Sequence, residues 1–133
     1  MLFRSTFAVA KGRKQNKLHV IFQPHRFTRT EKLWDEFVEL FARADNRYDV
    51  SEIFIVDIYP ASEKPLPHIT SEKLVAAIKL KNPSLQIHHQ TSFEVIADHF
   101  KKILSPGDLL LTIGAGKAYS IGEFIAENNK PQV

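Results

Sequence analysis

The sequence predicts a Rossmann-like α/β domain, a three-layer sandwich built on a mostly parallel sheet. Short apolar segments alternate with longer segments in which apolar residues recur every three or four positions, as expected for strands and amphipathic helices. The connections between them are mostly short, which is typical of strand–helix–strand units in a sheet covered on both faces. The chain has 133 residues, of which 44% are apolar, so it is long enough for one domain with a real core.

Four segments have the composition of buried strands, and the last of them is the most apolar. Pro24 follows the first strand and ends its hydrogen bonding, because proline has no N–H to donate. Pro60 to Pro67 holds three prolines in eight residues, so we expect a loop there. The predicted strands are Leu18–Phe22, Ser51–Ile58, Leu85–His88 and Leu109–Ile113.

Helices are predicted between these strands from their apolar spacing. One amphipathic helix is expected over residues 31–44, with Thr28 and Glu31 at capping-box spacing and Thr30 as an equally good N-cap. Thr91 and Glu94 form a second capping box, before a helix over residues 93–104. The other helices are expected over residues 71–81 and after Gly116.

Residues 1–17 are a basic lead-in to a domain that we place at residues 18–130. Five cations and no acid give this segment a local charge of +5, although the whole chain carries only +3. Such a segment could be a nucleic-acid-binding arm or a transit peptide. We instead interpret it as a truncated helix, because Thr6–Lys11 has helical composition and Gly12 follows it.

Three polar residues directly after the first strand form the strongest candidate site. His25, Arg26 and Arg29 lie where ligands bind in open α/β sheets, just past the carboxyl end of a strand. Two guanidinium groups three residues apart can hold a carboxylate or phosphate from two directions. The alternative is that both arginines are solvated or cap neighbouring carbonyls, and that His25 only orients Arg26.

Asp57 and Tyr59 follow the second strand, so they are expected to face the same crevice. Asp57 could order the arginines, contact a ribose, or simply end the strand through a turn hydrogen bond. Glu63 is a weaker candidate, because it lies in the proline-rich loop where an exposed position is the default.

Gly114, Gly116 and Lys117 resemble a phosphate loop only superficially. A P-loop needs a glycine five residues before the Gly-Lys pair and Ser or Thr after the lysine. Those positions hold Leu111 and Ala118. The glycines are therefore expected to allow a tight turn, although the amides at the following helix start could still contact an anion.

The remaining composition argues against several other kinds of site. With no cysteine there can be no disulfide or thiolate metal site within these residues, which fits a reducing, cytoplasmic setting. His88 and His89 are adjacent, so they point to opposite faces of a strand, and without a neighbouring acid in sequence we expect no metal there. No apolar run reaches the length of about 18 residues needed to span a membrane.

Three stretches of the chain agree in order and spacing with one protein family. They are FQPHRFTRT (Phe22–Thr30), DIYPASE (Asp57–Glu63) and GDLLLTIGAG (Gly107–Gly116). Over residues 17–128 the chain resembles the C-terminal domain of the Mur ligases of bacterial cell-wall synthesis, and within them the ligases that join L-alanine to UDP-N-acetylmuramate.

The resemblance implies a reaction and a division of labour among three domains. Mur ligases form an acyl phosphate from a carboxylate and ATP, with Mg²⁺, and the amine of the amino acid then displaces phosphate. By resemblance, His25, Arg26 and Arg29 bind the carboxylate at the amino-acid end of the substrate or product. Asp57, Tyr59, Gly114 and Gly116 are candidates for nucleotide or substrate contact, and no residue is implied to be catalytic.

The resemblance also implies what this chain would need from elsewhere. The expected partners are an N-terminal UDP-binding domain and a central ATP-binding domain, with UDP-N-acetylmuramate and L-alanine as substrates and neither nucleic acid nor membrane. We expect no ligase activity from the chain alone, and no stable binding of ATP or Mg²⁺. The alternatives are an anion- or nucleic-acid-binding module and the C-terminal domain of a muropeptide-recycling ligase. The intact set of His25, Arg26 and Arg29 favours the L-alanine enzyme.

Overall fold

The computed structural model describes residues 2–114 and 116–128, which form a parallel sheet with helices on both faces. The order of the four strands is β3-β2-β1-β4, and every neighbouring pair is parallel. The predicted Rossmann-like sandwich is thereby confirmed. The elements are α1 (Leu2–Arg13), β1 (Leu18–Gln23), α2 (Phe27–Lys32), α3 (Trp34–Ala42), α4 (Ala44–Tyr48), β2 (Val50–Ile55), α5 (Ser71–Lys81), β3 (Ile87–His89), α6 (Phe93–Ile103), β4 (Leu109–Gly114) and α7 (Ser120–Asn128).

Two separate cores lie on the two faces of the sheet, because successive side chains of a strand point to opposite faces. Val20 and Phe22 of β1 pack with α1, α3, α4 and α5, whereas Ile21 between them packs with α6 and α7. In β2, Ile53 and Ile55 belong to the first core and Phe54 to the second. A sheet buried on both faces explains why the strand segments are continuously apolar.

The basic lead-in is helical, as expected, and part of it is buried. Phe7 of α1 is fully buried, with its ring centroid 5.9 Å from that of Phe41 and 5.4 Å from that of Tyr48. Two of the lead-in's cations are engaged locally: the Lys14 ammonium lies 2.7 Å from Asp49, and Lys11 donates to the carbonyl of Arg47. Where the domain begins stays a prediction, but α1 contributes to the same core as the sheet.

The predicted helix over residues 31–44 is wrong in its start and in its continuity. Helical structure already begins at Phe27, and turns at Leu33 and Arg43 divide it into α2, α3 and α4. The winding nevertheless continues through both turns, since Phe37 N–H donates to the Leu33 carbonyl and Arg47 N–H to the Arg43 carbonyl, each at 2.9 Å. The apolar spacing therefore indicated the buried face correctly but not the breaks.

The second strand is shorter than predicted, ending at Ile55 rather than Ile58. Its last ladder partner is Phe22, and the neighbouring strand ends just before Pro24. Because proline cannot donate to a ladder, the pairing stops there although the apolar sequence of the second strand continues. Val56 N–H still donates to the Phe22 carbonyl, and the chain beyond Val56 forms the loop that carries the candidate site residues.

Candidate functional site

The carboxyl edge of the sheet carries the candidate site. In the strand order β3-β2-β1-β4, β2 and β3 are added on one side of β1, and β4 is then added on its other side. The crevice outside the carboxyl ends of β1 and β4 is therefore the topological switch point, where ligands bind in this class of fold. The loops that follow β1 and β4 contain Arg26 and Gly116, two of the residues predicted from sequence.

His25 and Tyr59 are held together by a short parallel bridge beyond the ends of β1 and β2. Arg26 N–H donates to the Tyr59 carbonyl at 2.8 Å, and Tyr59 N–H donates to the Pro24 carbonyl at 2.9 Å. The two aromatic rings stack with an interplanar angle of 13° and centroids 5.9 Å apart. The structure thus joins two predicted site residues that are 34 positions apart in sequence.

Arg26 has an unusual backbone conformation, with φ 68° and ψ 146°. This region is populated almost only by glycine and costs a non-glycine residue on the order of 1–3 kcal/mol. Its flanking bonds hold it in place, because the Arg26 carbonyl accepts from both the amide and the hydroxyl of Thr30, at 3.2 and 2.7 Å. Strain of this kind is concentrated at functional sites.

A cleft of about 600 Å³ lies beside this strained residue, and we call it the cationic cleft. Arg26, Arg29 and Lys32 contribute three positive charges to its wall, and no carboxylate is among the described residues that line it. Such a wall can bind an anion, and the guanidinium groups suit a planar carboxylate or a phosphate. The lining residues are His25, Arg26, Thr28, Arg29, Lys32 and Leu33.

Lys32 was not among the residues predicted from sequence. The signal that could have found it is the spacing of three between Arg29 and Lys32, which places the two side chains on one face of a helix. The predicted start of the helix at residue 31 hid this periodicity, because Arg26 and Arg29 were then assigned to a loop.

Glu63, the weak candidate from the proline-rich loop, contacts the start of α2. Its carboxylate accepts from the amides of Phe27 (2.7 Å) and Thr28 (3.2 Å) and from the Thr28 hydroxyl. Helix α2 has no capping side chain of its own, so the predicted caps Thr28 and Thr30 are wrong. The Thr28 hydroxyl, the two amides and the charge of Arg26 together hold the pKa of Glu63 below its usual value, against a smaller opposing effect of desolvation.

Asp57 is paired with residues of the neighbouring strand and loop. Within the described residues, its carboxylate accepts from His89 Nε2 at 2.6 Å and from the Thr91 hydroxyl at 3.3 Å. His89 ends β3, one residue beyond the predicted strand, and its acidic partner is distant in sequence. The predicted capping box of Thr91 and Glu94 is wrong, because α6 begins at Phe93 and Ser92 caps it by accepting from Val95 N–H.

Gly114 and Gly116 are required by the close approach of Gln23. Both have positive φ, 111° and 81°. The buried Gln23 amide donates to the Asp57 carbonyl and accepts from Ala118 N–H, each at 3.2 Å. Gln23 thus connects the ends of β1, β2 and β4, a role that no local sequence pattern indicated. Whether Asp57, Tyr59, Gly114 and Gly116 contact a nucleotide or substrate stays a prediction.

Neither a metal site nor a membrane span was found among the described residues. Over residues 2–114 and 116–128, no group of three His, Asp or Glu side chains is placed to hold a metal ion. In the same part of the chain, no helix is long and apolar enough to cross a bilayer.

The fold and the cleft together define a parallel α/β domain with a cationic cleft beside the segment that follows β1. Over almost its whole length, the chain is similar to proteins named UDP-N-acetylmuramate–L-alanine ligase. It is 40% identical to that of Geotalea uraniireducens over 127 residues, which are 96% of this chain and 26% of the relative. It is likewise 40% identical to that of Solibacter usitatus (93% of this chain and 25% of the relative) and 37% identical to that of Clostridium tetani (90% and 25%).

These relatives confirm the resemblance predicted from the three sequence stretches. The chain is homologous to one region of the UDP-N-acetylmuramate–L-alanine ligases, consistent with their C-terminal part. It spans about a quarter of the length of the curated relatives that it matches. No family model matches the chain.

Proposed function

We propose that this chain supplies the amino-acid side of a UDP-N-acetylmuramate–L-alanine ligase site. The cationic cleft carries the proposal, because three cations without a lining carboxylate form a receptor for a carboxylate end group. Arg26 and Arg29 would pair with the carboxylate of L-alanine or of the product, and His25, stacked on Tyr59, would border it. This use of the cleft positions the amino acid and requires no catalytic residue from the chain.

ATP and Mg²⁺ belong to the proposed full-length enzyme rather than to the residues present here. The loop at Gly114–Gly116 fails the P-loop spacing, and Gln23 already occupies the space beside both glycines. The described carboxylates do not gather into a metal-binding group. We therefore assign nucleotide and metal to other domains, and expect the chain alone to be inactive until those domains close on the cationic cleft.

The alternative of a nucleic-acid-binding module has less support. It rests on the basic lead-in and on the pair Arg26 and Arg29, but two of the cations of that lead-in are engaged by Asp49 and by the Arg47 carbonyl. Binding through phosphates would weaken steeply with added salt because counterions are released from the polyanion. A gel-shift assay at low salt with DNA and RNA should show no complex, and a salt-sensitive shift would favour this alternative.

Binding of N-acetyl-L-alanine tests the proposed function directly, because this compound mimics the carboxylate end of the product. In ¹⁵N-HSQC titrations, we expect shifts for the amides of residues 25–33 with N-acetyl-L-alanine. We expect none with N-acetyl-L-alaninamide, which lacks the carboxylate. Arg29→Gln should weaken the affinity about tenfold, equivalent to roughly 1.4 kcal/mol and close to the lower end of the range for a charged hydrogen bond.

Arg43→Gln is the matched control for Arg29→Gln, because Arg43 lies in a different cleft and pairs with Glu39. Its affinity for N-acetyl-L-alanine should equal that of the unsubstituted chain. Equal shifts with the acid and the amide, or shifts confined to other parts of the chain, would contradict the proposed function.

A further inference from the structure

The start of α2 is capped from a distant loop rather than by its own sequence. The Glu63 carboxylate accepts three donors there, the amides of Phe27 and Thr28 and the Thr28 hydroxyl. The local residue at the cap position, Arg26, makes no side-chain capping bond. The anion-binding potential of this helix start is therefore already used by the chain itself.

A tight turn in the loop that carries Glu63 brings its carboxylate to the start of α2. Ala61 and Ser62 have successive positive φ values of 50° and 73°, and Glu63 N–H donates to the Pro60 carbonyl at 3.0 Å. Two successive left-handed residues without glycine are uncommon and indicate a conformation held by its surroundings. Reversing the chain within four residues places Glu63 over α2.

The same loop contacts the β1–α2 segment on both sides of Glu63. Before Glu63 lies the bridge between His25 and Tyr59, and after it His68 pairs with Glu31 on α2. These contacts surround the strained backbone of Arg26. The loop therefore covers the segment that carries the cationic cleft, without contributing a carboxylate to its described lining.

We propose that Glu63 is a positioning residue for the cationic cleft: its carboxylate fixes the first turn of α2 and so sets the directions of Arg26, Arg29 and Lys32. Arg29 and Lys32 lie three positions apart on α2, and Arg26 directly precedes its first residue, so a rotation of the first turn would change the directions of all three side chains. An ionised carboxylate is a pure acceptor that can satisfy all three donors at once, which a neutral side chain cannot do. This inference rests on the proposed function, because the cleft is what Glu63 positions.

Two substitutions of Glu63 and one remote control test the proposal. Glu63→Ala removes all three bonds, whereas Glu63→Gln retains an acceptor without the charge. Ser92→Ala is the matched control, because it removes the side-chain cap of α6, which lies outside the residues that line the cationic cleft. All three variants and the unsubstituted chain would be compared by amide hydrogen exchange, arginine Nε–H chemical shifts and affinity for N-acetyl-L-alanine.

For Glu63→Ala we expect at least about tenfold faster exchange at Phe27 and Thr28, displaced Nε–H signals of Arg26 and Arg29, and about fivefold weaker binding of N-acetyl-L-alanine. Glu63→Gln should lie between Glu63→Ala and the unsubstituted chain. Ser92→Ala should change exchange near Val95 and leave the affinity unchanged. The graded response in affinity distinguishes positioning of the cleft from a purely structural cap.

Two results would overturn the proposal. One is unchanged exchange at Phe27 and Thr28 in Glu63→Ala, and the other is faster exchange with undisturbed arginine signals. If the unsubstituted chain fails to bind N-acetyl-L-alanine, the proposed function fails, whereas the arginine signals still decide whether Glu63 positions the side chains of the cleft.

Discussion

At the scale of single residues, the junction between Gln23 and the two glycines explains why the end of β4 has its particular sequence. Gln23 is only 7% exposed, and its side chain bridges the Asp57 carbonyl and Ala118 N–H. A Cβ added to Gly114 would lie 2.0 Å from the backbone oxygen of Gln23, and one added to Gly116 would lie 2.5 Å from its side-chain oxygen. A Cβ at position 114 would therefore collide with a fixed backbone atom, whereas a Cβ at position 116 would collide with a side chain that can move.

We expect Gly114→Ala to destabilise the protein by more than about 3 kcal/mol and Gly116→Ala by about 1–3 kcal/mol. Both substitutions place alanine at positive φ, but only at Gly114 is the obstacle a backbone atom. Adding Gln23→Ala should restore part of the loss in Gly116→Ala and none in Gly114→Ala. Urea unfolding of the single and double variants measures these differences.

Gly122→Ala is the control for these variants, because nothing lies within 4 Å of its added Cβ and the residue is inside α7. Here alanine should stabilise by roughly 0.5–1 kcal/mol, the usual difference between the two residues in a helix. Equal losses at Gly114 and Gly116, insensitive to Gln23→Ala, would show that the approach of Gln23 is not the cause.

At the scale of secondary-structure elements, a buried ionic cluster joins the amino-terminal half of the sheet, away from the cationic cleft. His19 of β1 is 2% exposed, with Nδ1 3.0 Å from Glu52 of β2 and Nε2 3.2 Å from Asp108, just before β4. The Nδ1 contact has the separation of an ion pair without hydrogen-bond alignment. His99 of α6 also contacts Glu52, and the amides of Lys17 and Ser105 donate to Asp108.

This cluster should make the free energy of unfolding depend on pH. Burial alone would lower the pKa of His19, but its contacts with Glu52 and Asp108 outweigh burial and raise that pKa. The pKa values of Glu52 and Asp108 are instead lowered, although burial alone would raise them. Contacts with His19 and His99 lower the pKa of Glu52, whereas the amides of Ser105 and Lys17 and the contact with His19 lower the pKa of Asp108. The stabilisation by His19 is therefore complete below the unfolded-state pKa of about 6.5 and is lost as the pH rises through its raised folded-state value.

We expect the chain to lose stability, on the order of 1 kcal/mol, as the pH rises above about 6.5, and again as it falls below about 4 where the carboxylates protonate. Denaturant unfolding between pH 3.5 and 9 measures both limbs. His19→Gln should remove the loss on the alkaline side. His88, whose pKa is lowered chiefly by burial, acts in the opposite direction, so the comparison with His19→Gln isolates the contribution of His19.

His68→Gln is the control for this experiment, because His68 is mostly exposed and lies outside the cluster. It should retain the full loss above pH 6.5. A pH profile of His19→Gln that parallels the unsubstituted protein would show that His19 is not held in its charged form by the cluster.

The bounds of a helix or strand could be predicted from sequence where the residues that set them lie close to it in sequence. Helix α5 has the predicted bounds, because Thr70 caps its start and Pro83 follows its end. The start of α2 and the partner of His89 could not be predicted, since their causes are carboxylates 32 to 36 residues away. His25, Arg26 and Arg29 could be found because strand, proline and basic residues are contiguous, whereas Gln23 and Glu63 act across the fold.

At the scale of the whole molecule, one edge of the sheet carries the ligand-binding candidates and the other carries the ionic cluster. The connections after β1, β2 and β4 meet at the carboxyl edge, where Gln23 and Glu63 hold them in register. An open cleft on one wall encloses only part of a small ligand. The proposed ligase site therefore needs a second wall. This chain spans about a quarter of the length of its relatives, so the other three quarters of such a protein could supply that wall.

A chimera tests whether this chain serves as that part of a ligase. We expect that exchanging the matched region of the Geotalea uraniireducens ligase for this chain preserves ligation of L-alanine to UDP-N-acetylmuramate, measured as ADP release that depends on both substrates. Arg26→Gln or Arg29→Gln in the chimera should raise the KM for L-alanine about tenfold, because each removes a proposed charged contact with its carboxylate. Arg43→Gln, outside the cationic cleft, should leave the KM unchanged.

The isolated chain should give no turnover with the same substrates, since positioning one substrate without the nucleotide-binding domain supplies no activated carboxylate for the amine to attack. Turnover by the isolated chain would refute its dependence on other domains, and an active chimera indifferent to both arginine substitutions would refute the assignment of the cleft.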